Sequence, residues 1–270
     1  MFATAACQKN NDPADPNAAV NQSNISYGTE ASQKMDLYLP KDRTTTTTKV
    51  IILIHGGAWT EGDKSDFTAY FVPLQQRLPG YAIFNINYRL ASGSSNLFPT
   101  QENDVKKAIE FIYSKRNEYH ISDKFVFLGA SAGAHLALLQ GFKYNTPVKP
   151  KAVVSFFAPT NLTALYNDNA FAATVMQTVT GTTPALNATL YQQSSPSGFV
   201  TAASPPTILL QGGADPIVPF SQADSFNALL GTAGVPHQYV FYPGEGHGWT
   251  GNNLNDSFDK IAAFLTQYVN

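Results

Sequence analysis

The sequence predicts an α/β fold built on a mainly parallel sheet covered by helices on both faces. Three observations carry that expectation. Short unbroken apolar runs recur along the chain, segments of helical periodicity separate them, and glycine-rich turns follow several of the runs. Short continuous runs suit strands buried on both faces, and strands that alternate with helices assemble into parallel sheets. At 270 residues the chain is long enough to bury one sizeable core as a single domain.

Residues 1–22 lack apolar periodicity and are expected to form a flexible tail, which leaves 23–270 as the folded domain. Met35, Leu37 and Leu39 alternate with polar residues and stop at Pro40, the pattern of a half-buried strand. Thr44 to Thr48 follow Lys41, Asp42 and Arg43 and read as an exposed turn. Continuous apolar runs then occupy residues 50–54, 82–86, 125–128, 152–157, 207–210 and 238–242. Between them, Val105, Ala108, Ile109 and Ile112 share one helical face, with Thr100 placed to cap its start. Ser221 and Asp224 stand at capping-box spacing ahead of Phe226, Leu229 and Leu230, and Gly231 and Gly234 close that helix. Phe258, Ile261, Ala262, Leu265 and Val269 build the last one. Residues from about 160 to 204 break the alternation, being rich in Thr, Asn, Ser and Pro around one weakly amphipathic piece, 171–179. Following a strand, this insertion hangs over the carboxyl edge of the sheet, where a cap over the site is the natural role. A surface insertion without a part in binding is the alternative.

Composition narrows the class further. A net charge of −2 gives no electrostatic basis for binding nucleic acid or an anionic membrane surface. No stretch approaches the length of uninterrupted apolar sequence needed to span a membrane. Charged residues make up 13%, against about 25% in an average soluble domain, which leans towards an exported protein, secreted or held in the cell envelope. The single cysteine, Cys7, excludes an intramolecular disulfide. Small residues precede it and a polar stretch follows, which resembles the end of a bacterial lipoprotein signal. The charged start and long apolar stretch of such a signal are missing, and Thr4 stands where a larger apolar residue is usual. Cys7 is therefore either a lipid-anchor site or a residue of the tail.

Gly129-Ala130-Ser131-Ala132-Gly133 directly follows the run 125–128 and precedes a helical segment carrying Leu136, Leu138 and Leu139. Strand, Gly-x-Ser-x-Gly and helix, in that order, form a nucleophile elbow. The glycines leave room for a strained turn that lifts the Ser131 hydroxyl out, and the turn sets the Ala132 N–H at a helix N-terminus, where negative charge is favoured. His55-Gly56-Gly57-Ala58-Trp59 follows the run 50–54. Matched to an oxyanion loop, Gly57 and Ala58 fall on its donor positions, and Trp59 stands where it can contact substrate; a plain tight turn is the bland reading. A nucleophilic serine needs a base, and the base needs an orienting carboxylate. After Ser131, Asp215 and His247 each sit in a glycine-rich turn at the end of a predicted strand, in the chain order serine, acid, histidine. The competitors are placed less well. Asp168 lies in the presumed cap, Asp224 in a helical first turn, His237 before a strand and His120 at the start of a surface loop, and His135 and His55 read as packing and loop-bracing residues. No His, Cys and carboxylate cluster has metal-ligand spacing.

With these motifs in place the chain resembles the esterase and lipase branch of the α/β-hydrolases, which includes hormone-sensitive-lipase-like and bacterial feruloyl-esterase-like serine esterases. The likeness covers about 24 to 270. It extends to Gly62-Asp63-Lys64, Asn87-Tyr88-Arg89-Leu90, Phe98-Pro99 with Asp104, Asp215-Pro216-Ile217-Val218-Pro219 and Gly246-His247-Gly248. Ala58 and Ala134 replace glycines of the usual motifs and could narrow the site without removing a catalytic group. The resemblance implies an α/β-hydrolase fold with an eight-stranded, mainly parallel sheet and a short cap, and no cofactor. It implies a carboxylesterase working through an acyl-enzyme on Ser131, with small-molecule or polysaccharide-linked esters as substrates, acetyl or feruloyl esters of plant polysaccharides among them. Its rivals are a serine peptidase or amidase of the prolyl-oligopeptidase kind, a formamidase, and a binding module that kept the fold without the chemistry.

Overall fold

The computed structural model describes residues 15–270, so Cys7 and its lipid-anchor reading lie outside the described residues. Eight strands form one sheet: β1 (Val20–Ser26), β2 (Lys34–Leu39), β3 (Lys49–Ile54), β4 (Tyr81–Ile86), β5 (Phe125–Ala130), β6 (Ala152–Phe156), β7 (Thr207–Gly212) and β8 (His237–Tyr242). Their spatial order is β1-β2-β4-β3-β5-β6-β7-β8. The β1–β2 and β2–β4 pairs are antiparallel and the remaining pairs parallel. The helices are α1 (Thr68–Arg77), α2 (Thr100–Ser114), α3 (Arg116–Tyr119), α4 (Ala132–Lys143), α5 (Leu162–Tyr166), α6 (Ala170–Thr180), α7 (Ala188–Gln193), α8 (Ser221–Thr232) and α9 (Gly251–Tyr268).

Alternation along β3 shows how the sheet is buried twice over. Val50, Ile52 and Ile54 join a cluster completed by Val105, Leu136 and Phe226 from α2, α4 and α8. Ile51 and Leu53 join a second cluster with Leu74 of α1 and Phe258, Ile261 and Leu265 of α9. Each such side chain taken fully from water contributes about 1.5–3 kcal/mol, which is why these strands read as unbroken apolar runs. The chain leaves β3 through a helix on one face and leaves the adjacent β5 through a helix on the other. Neighbouring strands whose connections depart from opposite faces open a crevice at their carboxyl ends. Among the described residues no helix is long and apolar enough to cross a membrane.

Several local expectations need correction. β1 begins at Val20, inside the segment 1–22 read as a tail, and the Arg43 N–H donates to Pro16 O. Val20 is the single fully buried residue of β1, so the strand carries no apolar alternation to read. Thr100 is the first residue of α2 rather than its cap, and Pro99 precedes it with no side-chain bond. Ser221 caps nothing; Phe220 precedes α8, and the Asp224 carboxylate accepts from Tyr239 Oη at 2.7 Å instead. α1, not expected from the pattern, contains Pro73 and buries only Leu74 fully, so its apolar stripe is weak.

Candidate active site

The nucleophile elbow is formed where β5 turns into α4. Ser131 holds φ 54° and ψ −122°, and its N–H donates to Phe156 O at 2.9 Å. The backbone passes so closely here that a Cβ on Gly133 would lie 1.9 Å from Ile54 O, and one on Gly129 2.3 Å from Gly133 C. That is the steric reason for both glycines of the motif.

Ser131 Oγ lies 3.0 Å from His247 Nε2, and His247 Nδ1 lies 2.8 Å from Asp215 Oδ2. The Asp215 side chain is fully buried while that of His247 is 21% exposed, so the carboxylate is shielded and the imidazole faces the cleft. Asp215 Oδ1 accepts the N–H groups of Ile217 and Val218, each at 2.9 Å, and Gln211 Nε2 approaches Oδ2 at 3.3 Å. These donors fix the carboxylate plane, which in turn fixes the imidazole. The ring of Phe157, at the end of β6, packs 4.5 Å from the His247 ring centroid and closes one side of it.

The loop after β3 brings Gly57 and Ala58 alongside. Ala58 and Trp59 hold φ of +50° and +60°. Left-handed values cost non-glycine residues of order 1–3 kcal/mol each, so this loop is strained and held from outside. Tyr88 Oη reaches His55 O and Gly56 O at 3.0 and 3.1 Å, and its ring stacks on His55 at 4.3 Å. Asn87 ties the next turn through Asp63 and the Lys64 N–H. Buried Asp104 takes both Arg89 Nε and Nη2, at 2.8 and 2.7 Å, and Gln33 Nε2 at 2.6 Å. These contacts explain the Asn-Tyr-Arg and Asp104 resemblances as bracing for the loop. Among the described residues, the N–H groups of Gly57, Ala58 and Ala132 donate to no protein acceptor.

Trp59 is placed differently from a freely exposed substrate contact. It is 2% exposed and its Nε1–H donates to His135 Nδ1 at 3.3 Å, while one side of the indole still lines a small cavity at Ser131. His135 is fully buried and donates from Nε2 to Ser194 O at 2.7 Å, so α4 is tied to the segment after α7. Burial lowers the His135 pKa from 6.5 to about 4. Between those values the unfolded chain binds the proton and the folded chain does not, so stability is full above about 6.5 and falls as pH drops towards 4. The loss from this residue is about 3 kcal/mol. Denaturant unfolding across this range should show it, and His135→Gln should reduce the slope; an unchanged slope in the variant would assign the acid sensitivity elsewhere.

Two spaces meet at Ser131. A cleft of about 390 Å³ is lined by Ser131, His247, Glu61, Asp66, Tyr70 and Phe157 among others. A cavity of about 50 Å³ is walled by Trp59, Pro159, Leu165, Ala172, Val175 and Val218. Leu165, Ala172 and Val175 come from the insertion between β6 and β7, which therefore overhangs the serine. A larger hollow of about 520 Å³ between α5 and α8 contains none of the three residues of the hydrogen-bonded chain. Phe157, Gln211, Phe171, Ile217 and Tyr70 were not singled out from sequence. Phe157 directly follows β6 and Gln211 is the penultimate residue of β7, both at the carboxyl edge, which is the one signal that could have pointed to them.

Residues 35–230 match the BD-FAE family. Esterase LipC of Mycobacterium tuberculosis is 27% identical over 92% of this chain and 65% of its own length. Esterase LipQ of the same organism is 29% identical over 82% of this chain and 52% of its own. The chain thus spans half to two-thirds of the length of these curated relatives. A truncated carbohydrate esterase from gut microbiota superposes with a TM-score of 0.80 at 24% identity, covering 96% of this chain and 99% of that one. At that identity the superposition establishes the α/β-hydrolase fold.

Proposed function

This chain belongs to the BD-FAE family of α/β-hydrolases, and on that premise we propose that it is a serine carboxylesterase that removes short acyl groups, acetyl foremost, from uncharged carbohydrate alcohols. The observation that carries the proposal is the continuous Asp215–His247–Ser131 chain of 2.8 and 3.0 Å beside three unengaged backbone N–H groups. His247 takes the Ser131 proton as Oγ attacks the ester carbonyl, and Asp215 stabilises the resulting imidazolium. The oxyanion is received by the N–H groups of Gly57, Ala58 and Ala132, each such donor being worth about 10²- to 10³-fold in rate. His247 returns the proton to the leaving alcohol, and water then attacks the acyl-enzyme through the same base.

The proton path sorts the two spaces. The leaving oxygen must reach His247, which lines the cleft and not the small cavity, so the alcohol occupies the cleft and the acyl chain the cavity. About 50 Å³ holds roughly four water-sized groups, an acetyl to a butyryl chain, which favours acetyl over bulky feruloyl esters. Glu61 and Asp66 line the alcohol cleft together with aromatic Tyr70 and Phe157, a setting that suits a hydroxyl-rich, uncharged alcohol and repels an anionic one. An exported location belongs to the same proposal and rests on the charge-poor composition; fractionation of the native host that finds the protein only in the cytoplasm would exclude it.

The test is a p-nitrophenyl ester series from acetate to octanoate, run beside proline p-nitroanilides. kcat/KM should be highest at acetate to butyrate and fall by about 100-fold by octanoate, with the amides far slower. Equal or faster turnover of the amides would move the protein to the peptidase class, and an octanoate optimum would refute the short-acyl reading.

A further inference from the structure

We propose that Phe171 and Ile217 together form the partition that separates the acyl cavity from the alcohol cleft and sets the upper limit of acyl length. The proposal rests on the serine-esterase reading of Ser131. Its starting point is that Phe171 and Ile217 each line both spaces, a property they share with Ala58 and Ser131 at the reacting centre. A side chain that touches both spaces is part of the wall between them.

The two residues come from elements distant in sequence that both border the two spaces at the serine. Phe171 is in the first turn of α6, whose N-terminus is held by Asn169 Oδ1 accepting from the Ala172 N–H at 2.9 Å. The inner face of that helix, Ala172, Met176 and Val179, is 3%, 0% and 1% exposed, so the helix is anchored. Phe171 itself is 58% exposed and Ile217 is 38% exposed. Neither is needed to fill the core, and two large apolar side chains left in water beside the reacting serine, one on the insertion and one on the acid turn, are unfavourable unless a ligand covers them. Ile217 is set by its own N–H, which donates to Asp215 Oδ1 at 2.9 Å, so half of the partition is referenced to the acid that orients the base.

The remaining cavity wall is stiffer. Trp59 and Val218 are buried, Ala172 and Val175 belong to the anchored helix, and Pro159 lacks backbone freedom. A longer acyl chain would therefore leave the cavity most readily past Phe171 and Ile217, which border the cleft as well. Removing either side chain merges the two spaces. Enlarging Phe171 narrows the acyl side.

Phe171→Ala, Ile217→Ala, the double variant and Phe171→Trp should be compared with the wild type on p-nitrophenyl acetate and hexanoate. The readout is the ratio of kcat/KM for hexanoate to that for acetate, which a general loss of activity or folding does not move in a fixed direction. Each alanine variant is expected to raise the ratio about tenfold and the double variant further, while Phe171→Trp lowers it. Thermal unfolding checks that the variants stay folded, as the exposure of both side chains predicts. A wild type active on esters whose alanine variants keep the ratio within about twofold would overturn the partition and leave the esterase reading intact. A wild type that hydrolyses neither ester would overturn the esterase reading and the partition with it.

Discussion

Ser131→Ala is expected to lower kcat for p-nitrophenyl acetate by about 10⁵- to 10⁶-fold, with little change in stability. Ser131 is only half-buried and its hydroxyl hydrogen-bonds with His247, which lines the cleft, so its loss leaves no buried group unpaired. His247→Ala should cost nearly as much, and the double variant should be hardly worse than either single one, because one proton transfer needs both groups. Asp215→Asn should cost about 10⁴-fold, since the amide can still accept from Ile217 and Val218 but reverses the preferred imidazole tautomer. Steady-state rates of the four variants check the pattern. Full additivity between Ser131→Ala and His247→Ala would show that the two do not act on the same step.

Gly133→Ala is expected to remove more than about 4 kcal/mol of stability or to prevent folding. The added Cβ would lie 1.9 Å from Ile54 O and 2.3 Å from His55 O, both backbone atoms at the end of β3. Relief would require α4 to move away from the sheet, yet α4 buries Ala134, Leu136, Ala137 and Leu138 completely. The elbow and the oxyanion loop would be displaced together, because the clash lies on the backbone that joins β3 to Gly56. Gly80→Ala serves as the control, since nothing lies within 4 Å of its added Cβ, and it should change stability by well under 1 kcal/mol. Urea unfolding of both variants decides the matter. A Gly133→Ala protein within about 1 kcal/mol of wild type would show that the elbow is not packed as tightly as described.

The contrast between what was legible and what was not has a physical basis. Ser131, Asp215 and His247 could each be found locally, because each sits in a glycine-rich turn after a strand, and a turn of that kind has a composition. Their meeting across 116 residues of sequence separation needed only the rule that such turns share one sheet edge. The parallel strands were legible because burial on both faces writes itself as an apolar run. β1 was missed because just one of its residues is fully buried, and the first turns of α2 and α8 misled because Thr100 and Ser221 match capping patterns that tertiary contacts did not use. Trp59 stands at the cavity beside Ser131, as its place in the loop suggested, but the bond from its N–H to His135 on α4 joins distant segments and leaves no local trace. Phe171 and Ile217 were passed over for the same reason. Each is an ordinary apolar residue until the cap helix and the acid turn are brought face to face.

If an ester's acyl group passes through Ser131 Oγ, acid quenching during turnover should trap it there. Wild-type protein mixed with excess p-nitrophenyl acetate, quenched within the first turnovers and digested, would be analysed by mass spectrometry. One acetyl group is expected on the peptide carrying Ser131, and none on that peptide in Ser131→Ala, which has also lost turnover. Undiminished turnover in Ser131→Ala, or an acetyl group accumulating on a different residue at the rate of product release, would contradict it.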